Sequence, residues 1–389
     1  MPIALYLLAL AVFVMGTSEF MLAGLLPAIA ADLDVDLATA GLLTSAFALS
    51  MVVGAPLMAA LSRRWPARMT LLFCLLVFAI SHVIAALAPD FVLLLMTRIL
   101  GAMSNAGFLA VALNTATKLV PAHLKGRALA ILLAGTSAAT IAGVPAGTLL
   151  GEHLGWRSVF WVIGLLCLPA IFGVLSAVPR QPTQDAQAPE APQLLTELAA
   201  LRSVQLAGTM ILAALVNGGT FAVFTFIAPV VTTSARMAEQ WVPLILMLFG
   251  LGSLLGITIA GRFSDRRPVA VLAVAGPLLL AGWIALALLA ENPAALVVLV
   301  FAQGFLSFAV GSTLIARVLY AASDAPTMGG SYATVALNLG AALGPVLGGI
   351  ALPTSFGLRA PAGVATLLVA LAMLISLRAP QLLGLRPRK

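Results

Sequence analysis

The sequence has few of the residues that build enzyme or metal sites. It contains three histidines, two cysteines and 13 acidic residues in 389 positions. His82, His123 and His153 are scattered along the chain, and no cluster of His, Cys and Asp residues indicates a metal site. No Ser-His-Asp set, no pair of carboxylates and no GxxxxGK[ST] phosphate loop is apparent. We therefore expect no enzyme activity, no metal, no cofactor and no direct use of ATP.

Charge is also scarce. Charged residues make up 8% of the chain, hydrophobic residues 62%, and the mean hydropathy is +1.13. A soluble domain carries about 25% charged residues. Cys74 and Cys167 lie in apolar runs and are expected to be packing residues. The net charge of +7 is spread over short loops without a basic patch, so we expect a protein embedded in a lipid bilayer and no nucleic-acid partner.

Twelve apolar runs of roughly 20 residues predict an all-α integral membrane protein. The first run has no Lys or Arg before it and is too long for a signal peptide, so we expect it to be retained as a helix. The predicted spans lie near 3–29, 38–60, 69–88, 91–117, 127–149, 158–178, 203–231, 240–260, 269–290, 294–316, 328–351 and 360–378.

The basic residues outside the spans predict the orientation in the membrane. If both termini are cytoplasmic, the outer segments hold only Arg157, Arg236 and Arg359, and 16 of the 20 Lys and Arg residues are cytoplasmic. An excess of Lys and Arg in cytoplasmic loops is typical of membrane proteins. The outer loop 32–36 is acidic. We expect a multi-pass protein of a bacterial-type inner membrane with both termini in the cytoplasm.

A polar segment divides the chain into two halves. Residues 179–202 include a stretch rich in Pro, Gln and Ala that is too polar to span and is expected to be a cytoplasmic linker. Residues 1–178 and 203–389 then form two six-helix bundles. The first half also recurs in the second at an offset of 202 residues: Gly16, Gly54, Ser62, Arg64 and Pro66 return as Gly218, Gly256, Ser264, Arg266 and Pro268. Such repeats predict a site between the halves near the midplane, opened alternately to each side.

Two charged residues lie well inside the spans of the first half, Glu19 and Arg98. A charge at membrane depth costs at least ~2.5 kcal/mol, so such residues are usually functional. Glu19 lies about 15 Å and Arg98 about 10 Å inside the outer ends of their helices, so the two can face each other or share a cavity. We predict that they couple transport to protons, the alternative being a static buried ion pair. His82 is expected to be a packing residue, although a proton relay is conceivable.

A second group of residues could contact a substrate. Asn105 follows Arg98 by seven residues and lies on the same helix face. The alternatives are polar contacts between helices for the Asn residues and core or lipid packing for the aromatic residues. With Glu19, the candidate substrate contacts are Asn105, Asn217, Phe221, Phe224, Tyr332 and Asn338.

Several motifs resemble the major facilitator superfamily. The loop after the eighth span, Gly261-Arg262-Phe263-Ser264-Asp265-Arg266-Arg267, keeps the family's loop signature. Its first copy, Gly54 to Arg68, departs from it because Arg63 stands at the aspartate position. Thr97 to Ala102 is similar to the intramembrane arginine motif, and Gly155-Trp156-Arg157 opens the sixth span as in the family.

Two glycine-proline motifs extend the resemblance. Gly143-Val144-Pro145-Ala146-Gly147 is a variant of the antiporter motif, and Gly340-x3-Gly344-Pro345-x2-Gly348-Gly349 is close to it. The family's pattern implies gating roles for Arg64, Asp265, Arg266, Gly143, Pro145, Gly344 and Pro345. Close helix packing is the alternative for the glycines and prolines.

The resemblance covers the whole chain and points to twelve-helix drug:proton antiporters. Gly16 to Phe20, Leu42 to Ala48 and Asn105 to Leu113 are similar to the chloramphenicol-resistance efflux proteins. This implies proton-coupled export of a small drug, chloramphenicol or a related amphenicol, by a protein that is expected to act as a monomer. The alternatives are a sugar, nucleoside or broad multidrug exporter of the same superfamily, or a membrane protein that does not transport.

Overall fold

The computed structural model describes residues 1–61, 65–178, 199–264, 267–323, 325 and 328–383. Within these ranges the chain is helical and contains no β-strand. Twelve of its helices are long and apolar enough to cross a membrane. The predicted all-α membrane fold with twelve spans is therefore confirmed. The boundaries of the linker stay a prediction, since 179–198 lie outside the described residues.

The spans are numbered α1–α12 in chain order. The first half contains α1 (Ile3–Phe20, continued by Leu22–Asp32), α2 (Leu37–Leu61), α3 (Ala67–Ala86), α4 (Phe91–Lys118), α5 (Lys125–Ala138 and Val144–Leu154, joined by the π-helical turn Ala139–Gly143) and α6 (Trp156–Ala177). The second half contains α7 (Val204–Phe224), α8 (Val242–Ser264), α9 (Pro268–Leu289), α10 (Pro293–Ala321), α11 (Gly329–Ala351) and α12 (Ala360–Arg378). We call the end of the bundle that carries Ile3 and Arg378 the proximal end, and the opposite end the distal end.

Two of the tightest predicted turns lie at the distal end and are built alike. Asp90 caps α4 by accepting a hydrogen bond from the backbone N–H of Leu93 at 2.8 Å. Asn292, 202 residues later, caps α10 in the same way and accepts from Ala295 at 3.1 Å. Such caps satisfy backbone donors that a helix start leaves free. The predicted boundaries between the third and fourth spans and between the ninth and tenth are thus correct.

The same 202-residue offset relates the starts of α6 and α12. Gly155 has φ +79° and Gly357 has φ +52°, a region that favours glycine. Two residues later, Arg157 and Arg359 each pair with a carboxylate at the distal end. The repeat seen in the sequence is therefore also a repeat in backbone conformation and in ion pairing.

The halves meet along two helix pairs. α2 packs along α11, and the second part of α5 packs against α8. At the distal end the approach is close: a Cβ added to Gly349 would lie 3.2 Å from the Cα of Ala38, and one added to Gly41 would lie 2.8 Å from the ring of Phe226. Leu26, Ala30 and Ala40 of the first half form one buried cluster with Phe226. The distal ends of the two halves are thus in direct contact.

Candidate functional site

Arg98 on α4 is held against the backbone of α1. Its side chain is only 1% exposed. Nη1 donates to the hydroxyl of Ser18 at 2.8 Å, and Nη2 donates to the carbonyl oxygen of Ser18 at 2.9 Å. The guanidinium carbon lies 4.4 Å from the ring centre of Phe47 on α2, a distance typical of a cation–π contact. One serine and one aromatic ring therefore fix the position of this buried charge.

Ser18 is in turn bonded to His82 on α3. The Ser18 hydroxyl lies 2.6 Å from Nε2 of His82, whose Nδ1 lies 2.8 Å from the carbonyl oxygen of Phe78. A carbonyl only accepts and a guanidinium only donates, so a neutral imidazole with its proton on Nδ1 lets every contact pair donor with acceptor. Ser18 then accepts from Arg98 and donates to Nε2 of His82. The contacts form one directed chain from α4 through α1 to α3.

Glu19 is bonded to a different residue of α4. Nδ2 of Asn105 donates to Oε2 of Glu19 at 3.3 Å. Glu19 is half-buried, whereas Asn105 is buried. In the described part of the chain, Glu19 forms no ion pair with Arg98. The two charges predicted to act together are thus brought to one region of α1, but on adjacent residues with separate partners.

An aromatic cluster begins next to Glu19 and crosses into the second half. The ring centre of Phe20 lies 6.1 Å from that of Phe221 and 6.3 Å from that of Phe224 on α7. Phe224 lies 4.8 Å from Phe249 on α8, which contacts Phe308 on α10 at 6.1 Å. The structure therefore places the predicted Phe221 and Phe224 against Phe20, the residue that follows Glu19 in α1, at the boundary between the halves.

The other predicted substrate contacts are placed differently. Asn217 donates to the carbonyl oxygen of Leu337 at 2.8 Å and so joins α7 to α11, and Asn338 donates to Thr334 of its own helix at 3.0 Å. Tyr332 is buried near the proximal end of α11, in a cluster that also contains Leu206, Val318, Ala322, Ala325, Met328 and Ala333. The structure does not bring Tyr332 together with Glu19.

The predicted gating residues of α5 lie at a break in the helix. The π-helical turn Ala139–Gly143 immediately precedes Val144, and Pro145 follows inside the next α-helical segment. A Cβ added to Gly143 would lie 2.0 Å from the hydroxyl of Thr17 on α1, so this contact requires glycine. Proline lacks a backbone donor, which accounts for a departure from α-helical bonding one turn before it.

The corresponding residues of α11 are in a continuous helix. α11 runs through Pro345 without a break. A Cβ added to Gly344 would lie 2.2 Å from the carbonyl oxygen of Gly218 on α7, which indicates close packing within the second half. The remaining gating residues, Arg64, Asp265 and Arg266, lie outside the described residues.

Several residues of this site were not predicted from the sequence. One small polar residue and three aromatic residues gave no signal, because such residues are common in any membrane helix. They are Ser18, Phe47, Phe249 and Phe308. His82 was expected to pack, and it does lie 4.2 Å from the ring of Phe78, but it also completes the chain of hydrogen bonds to Arg98. The sequence did offer one signal for His82, since it is an isolated polar residue in an apolar span.

The model of the Major Facilitator Superfamily matches residues 8–335 and 237–389 of the chain. The chain belongs to the major facilitator superfamily. The predicted family is thus confirmed, and the chain is a membrane transporter and not an enzyme.

Individual relatives indicate which branch of the superfamily the chain resembles. A chloramphenicol resistance protein of Streptomyces lividans is 61% identical over 344 residues, which is 88% of each chain. The inner membrane transport protein YdhP of Escherichia coli K12 is 34% identical over 337 residues, 87% of this chain and 85% of YdhP. The predicted resemblance to the chloramphenicol-resistance branch is therefore confirmed.

Solved structures of other superfamily members share the fold. A bacterial homologue of the human lysosomal transporter Spinster, in an inward-facing and unoccupied conformation, has a TM-score of 0.74 at 19% identity and is covered over 95% of its length by 98% of this chain. The nucleoside transporter NupG also gives 0.74, at 15% identity, over 98% of this chain and 99% of NupG. At these identities the similarity concerns the fold alone.

Proposed function

We propose that this transporter exports chloramphenicol or a closely related amphenicol in exchange for protons. The observation that carries the proposal is the half-buried carboxylate of Glu19, which accepts a hydrogen bond from Asn105 and directly precedes Phe20, the first ring of an aromatic cluster that spans both halves. The 61% identity to a chloramphenicol resistance protein supports the choice of substrate.

The chemistry of the site suits such a drug. A neutral aromatic molecule with hydroxyl and amide groups needs apolar walls and a few polar groups that fix its orientation. Phe20, Phe221 and Phe224 offer the wall, and Glu19 with Asn105 offers an acceptor and a donor at its edge.

The proposed cycle uses Glu19 as the site of exchange. On the outer side Glu19 takes a proton and the drug leaves. On the inner side the proton is released and the next drug molecule binds. An ionised and a protonated Glu19 favour different packings of the two halves, which is the two-state element that alternating access requires.

The orientation follows from the basic residues. We propose that the proximal end is cytoplasmic, that the protein lies in a bacterial-type inner membrane, and that one chain is the functional unit. The contacts at the distal end then close the outer side, as an inward-facing transporter requires. Labelling of a cysteine introduced in the 179–202 linker only after the membrane is permeabilised supports this topology, and labelling in intact cells contradicts it.

Transport into inverted membrane vesicles tests the function. We expect vesicles that contain the chain to accumulate radiolabelled chloramphenicol when their lumen is acidified, and to lose the drug when a protonophore collapses the gradient. A susceptibility panel in a sensitive host should show resistance to amphenicols. Accumulation of the drug that does not depend on the pH gradient contradicts proton exchange. Resistance to unrelated drugs, or export of sugars or nucleosides alone, contradicts the proposal that amphenicols are the substrates.

A further inference from the structure

We propose that Ser18 and His82 are positioning residues that hold Arg98 beside Glu19 without letting the two charges pair. The inference rests on the proposed proton exchange at Glu19. It concerns two residues that touch neither the carboxylate of Glu19 nor the aromatic cluster in the hydrogen bonds and ring contacts of the described structure.

The first step concerns the contacts of the Arg98 guanidinium. Two of its N–H groups donate to Ser18, one to the hydroxyl and one to the carbonyl oxygen. The face of the guanidinium is covered by Phe47. An arginine held at two donors and one face has lost most of the freedom of its long side chain. Its Nε–H has no partner in the described structure, and none of its N–H groups pairs with Glu19 there.

The second step is the orientation of the Ser18 hydroxyl. A serine hydroxyl rotates freely and can donate or accept. Nε2 of His82 accepts a hydrogen bond from this hydroxyl at 2.6 Å, so a lone pair of the oxygen remains to accept from Arg98. His82 is itself fixed by the carbonyl oxygen of Phe78 and by tilted ring contacts with Phe78 and Phe160. Ser18 is 0% and His82 2% exposed, so water does not replace either contact readily.

The third step is the consequence for Glu19. The charged or ionisable groups that meet here are Glu19 from α1, His82 from α3 and Arg98 from α4, whereas α2 and α6 contribute the rings of Phe47 and Phe160. Oppositely charged groups in a poorly hydrated site attract strongly. If Arg98 were released, it would pair with Glu19, and the carboxylate would no longer exchange freely between a proton and its other partners.

Two substitutions of His82 separate its two nitrogens. The glutamine of His82→Gln reaches the position of Nε2 and offers an acceptor to Ser18, whereas the asparagine of His82→Asn reaches only the position of Nδ1. Ser18→Ala removes the hydroxyl directly. Ser104→Ala is the matched control, because it removes a buried hydroxyl of α4 whose one bond among the described residues goes to Leu100 of its own helix.

Each variant is compared in two assays on the same vesicles: uphill uptake of chloramphenicol driven by a pH gradient, and exchange of labelled for unlabelled drug without a gradient. We expect His82→Asn and Ser18→Ala to lose uphill uptake about 10-fold or more while exchange falls less than about 3-fold. His82→Gln and Ser104→Ala should keep both activities within about 3-fold. The amount of each variant in the membrane is measured alongside.

The outcomes are distinct. Equal loss of uptake and exchange in His82→Asn, His82→Gln and Ser18→Ala means a structural role and overturns the inference. Uphill uptake that persists in His82→Asn and Ser18→Ala overturns it as well. If the unmodified chain itself shows no uptake driven by the gradient, the proposed function fails, and this is seen before any variant is compared.

Discussion

Asn105 donates a hydrogen bond to Glu19 across 3.3 Å and so joins α4 to the carboxylate of α1. It is the only side-chain hydrogen bond of Glu19 in the described residues, and Asn105 lies about two turns of α4 away from Arg98. Glu19 thus accepts its hydrogen bond from the neutral Asn105, whereas the positive charge of Arg98 is bound to Ser18.

The first prediction concerns this bond. Hydrogen bonds to charged groups contribute about 1.5–3 kcal/mol, so Asn105→Ala should lower drug transport about 10-fold to 100-fold. Asn114→Ala, on an exposed position of the same helix, is the control and should transport normally. Initial rates of chloramphenicol uptake at equal protein content measure the effect. Normal rates in Asn105→Ala would remove Asn105 from the site.

The second prediction concerns the aromatic cluster. Phe224 contacts both Phe20 and Phe249, and an aromatic contact contributes about 0.5–1.5 kcal/mol beyond its buried area. Phe224→Leu keeps an apolar side chain, so we expect KM for the drug to rise roughly 3-fold to 10-fold with a smaller change in the maximal rate. Phe172→Leu, at a ring 71% exposed on α6, should leave KM unchanged. A change in the maximal rate alone would argue against a substrate wall.

The third prediction concerns the contact between α5 and α8. A Cβ at Gly250 would lie 2.7 Å from the carbonyl oxygen of Thr140, and backbone atoms cannot move aside cheaply. Gly250→Ala should therefore push the two halves apart and slow transport roughly 10-fold, as expected for a close helix contact that depends on a small residue. A Cβ at Gly311 meets nothing within 4 Å, so Gly311→Ala should behave as the unmodified chain does. Equal activity of the two variants would contradict the role of this contact.

The fourth prediction concerns pH and the distal end. The hydrogen bond from Arg157 holds the pKa of the Asp32 carboxyl below its ordinary value, partial burial opposes this, and the indole N–H of Trp156 adds to it. A lowered pKa in the folded state stabilises the fold above the unfolded pKa, and the stabilisation is lost as the pH falls through the folded value.

Asp32→Asn should therefore lower the melting temperature at pH 7, and the difference from the unmodified chain should shrink as the pH falls below about 4. The effect should be small, about 1–3 °C, because both side chains are more than a third exposed. Asp34→Asn in the same loop is the control. A difference that grows in acid would contradict the assigned direction.

Much of the fold could be predicted from the sequence, because the bilayer demands long apolar helices and places basic residues in loops. The capped turns at Asp90 and Asn292 were found for the same reason, since polar residues beside proline interrupt apolar runs. The break of α1 at Met21 and the π-helical turn of α5 were not predicted. Pro145 accounts for the second, but Pro345 lies in an unbroken helix, so a proline in the sequence does not by itself mark where a helix departs from α-helical bonding.

The site was predicted in part. Glu19 and Arg98 could be found because a charge at membrane depth is rare. Asn105 was found as a candidate substrate contact, but its bond to Glu19 and the bonds of Ser18 to Arg98 could not be predicted, because these contacts depend on how α1 and α4 are rotated. The placement of Tyr332 could not be predicted either. It lies near the start of α11, away from Glu19, and its role as a substrate contact stays a prediction.

The substitution Glu19→Gln tests the central claim most directly, because it keeps the shape of the side chain and mimics its protonated form. The measurement is chloramphenicol uptake into inverted vesicles with an acidic lumen, with drug exchange in the absence of a gradient as the internal control. We expect Glu19→Gln to reach the membrane, to exchange drug, and to lose uphill uptake. Uphill uptake equal to that of the unmodified chain would contradict the account, since Glu19 would then not carry the proton.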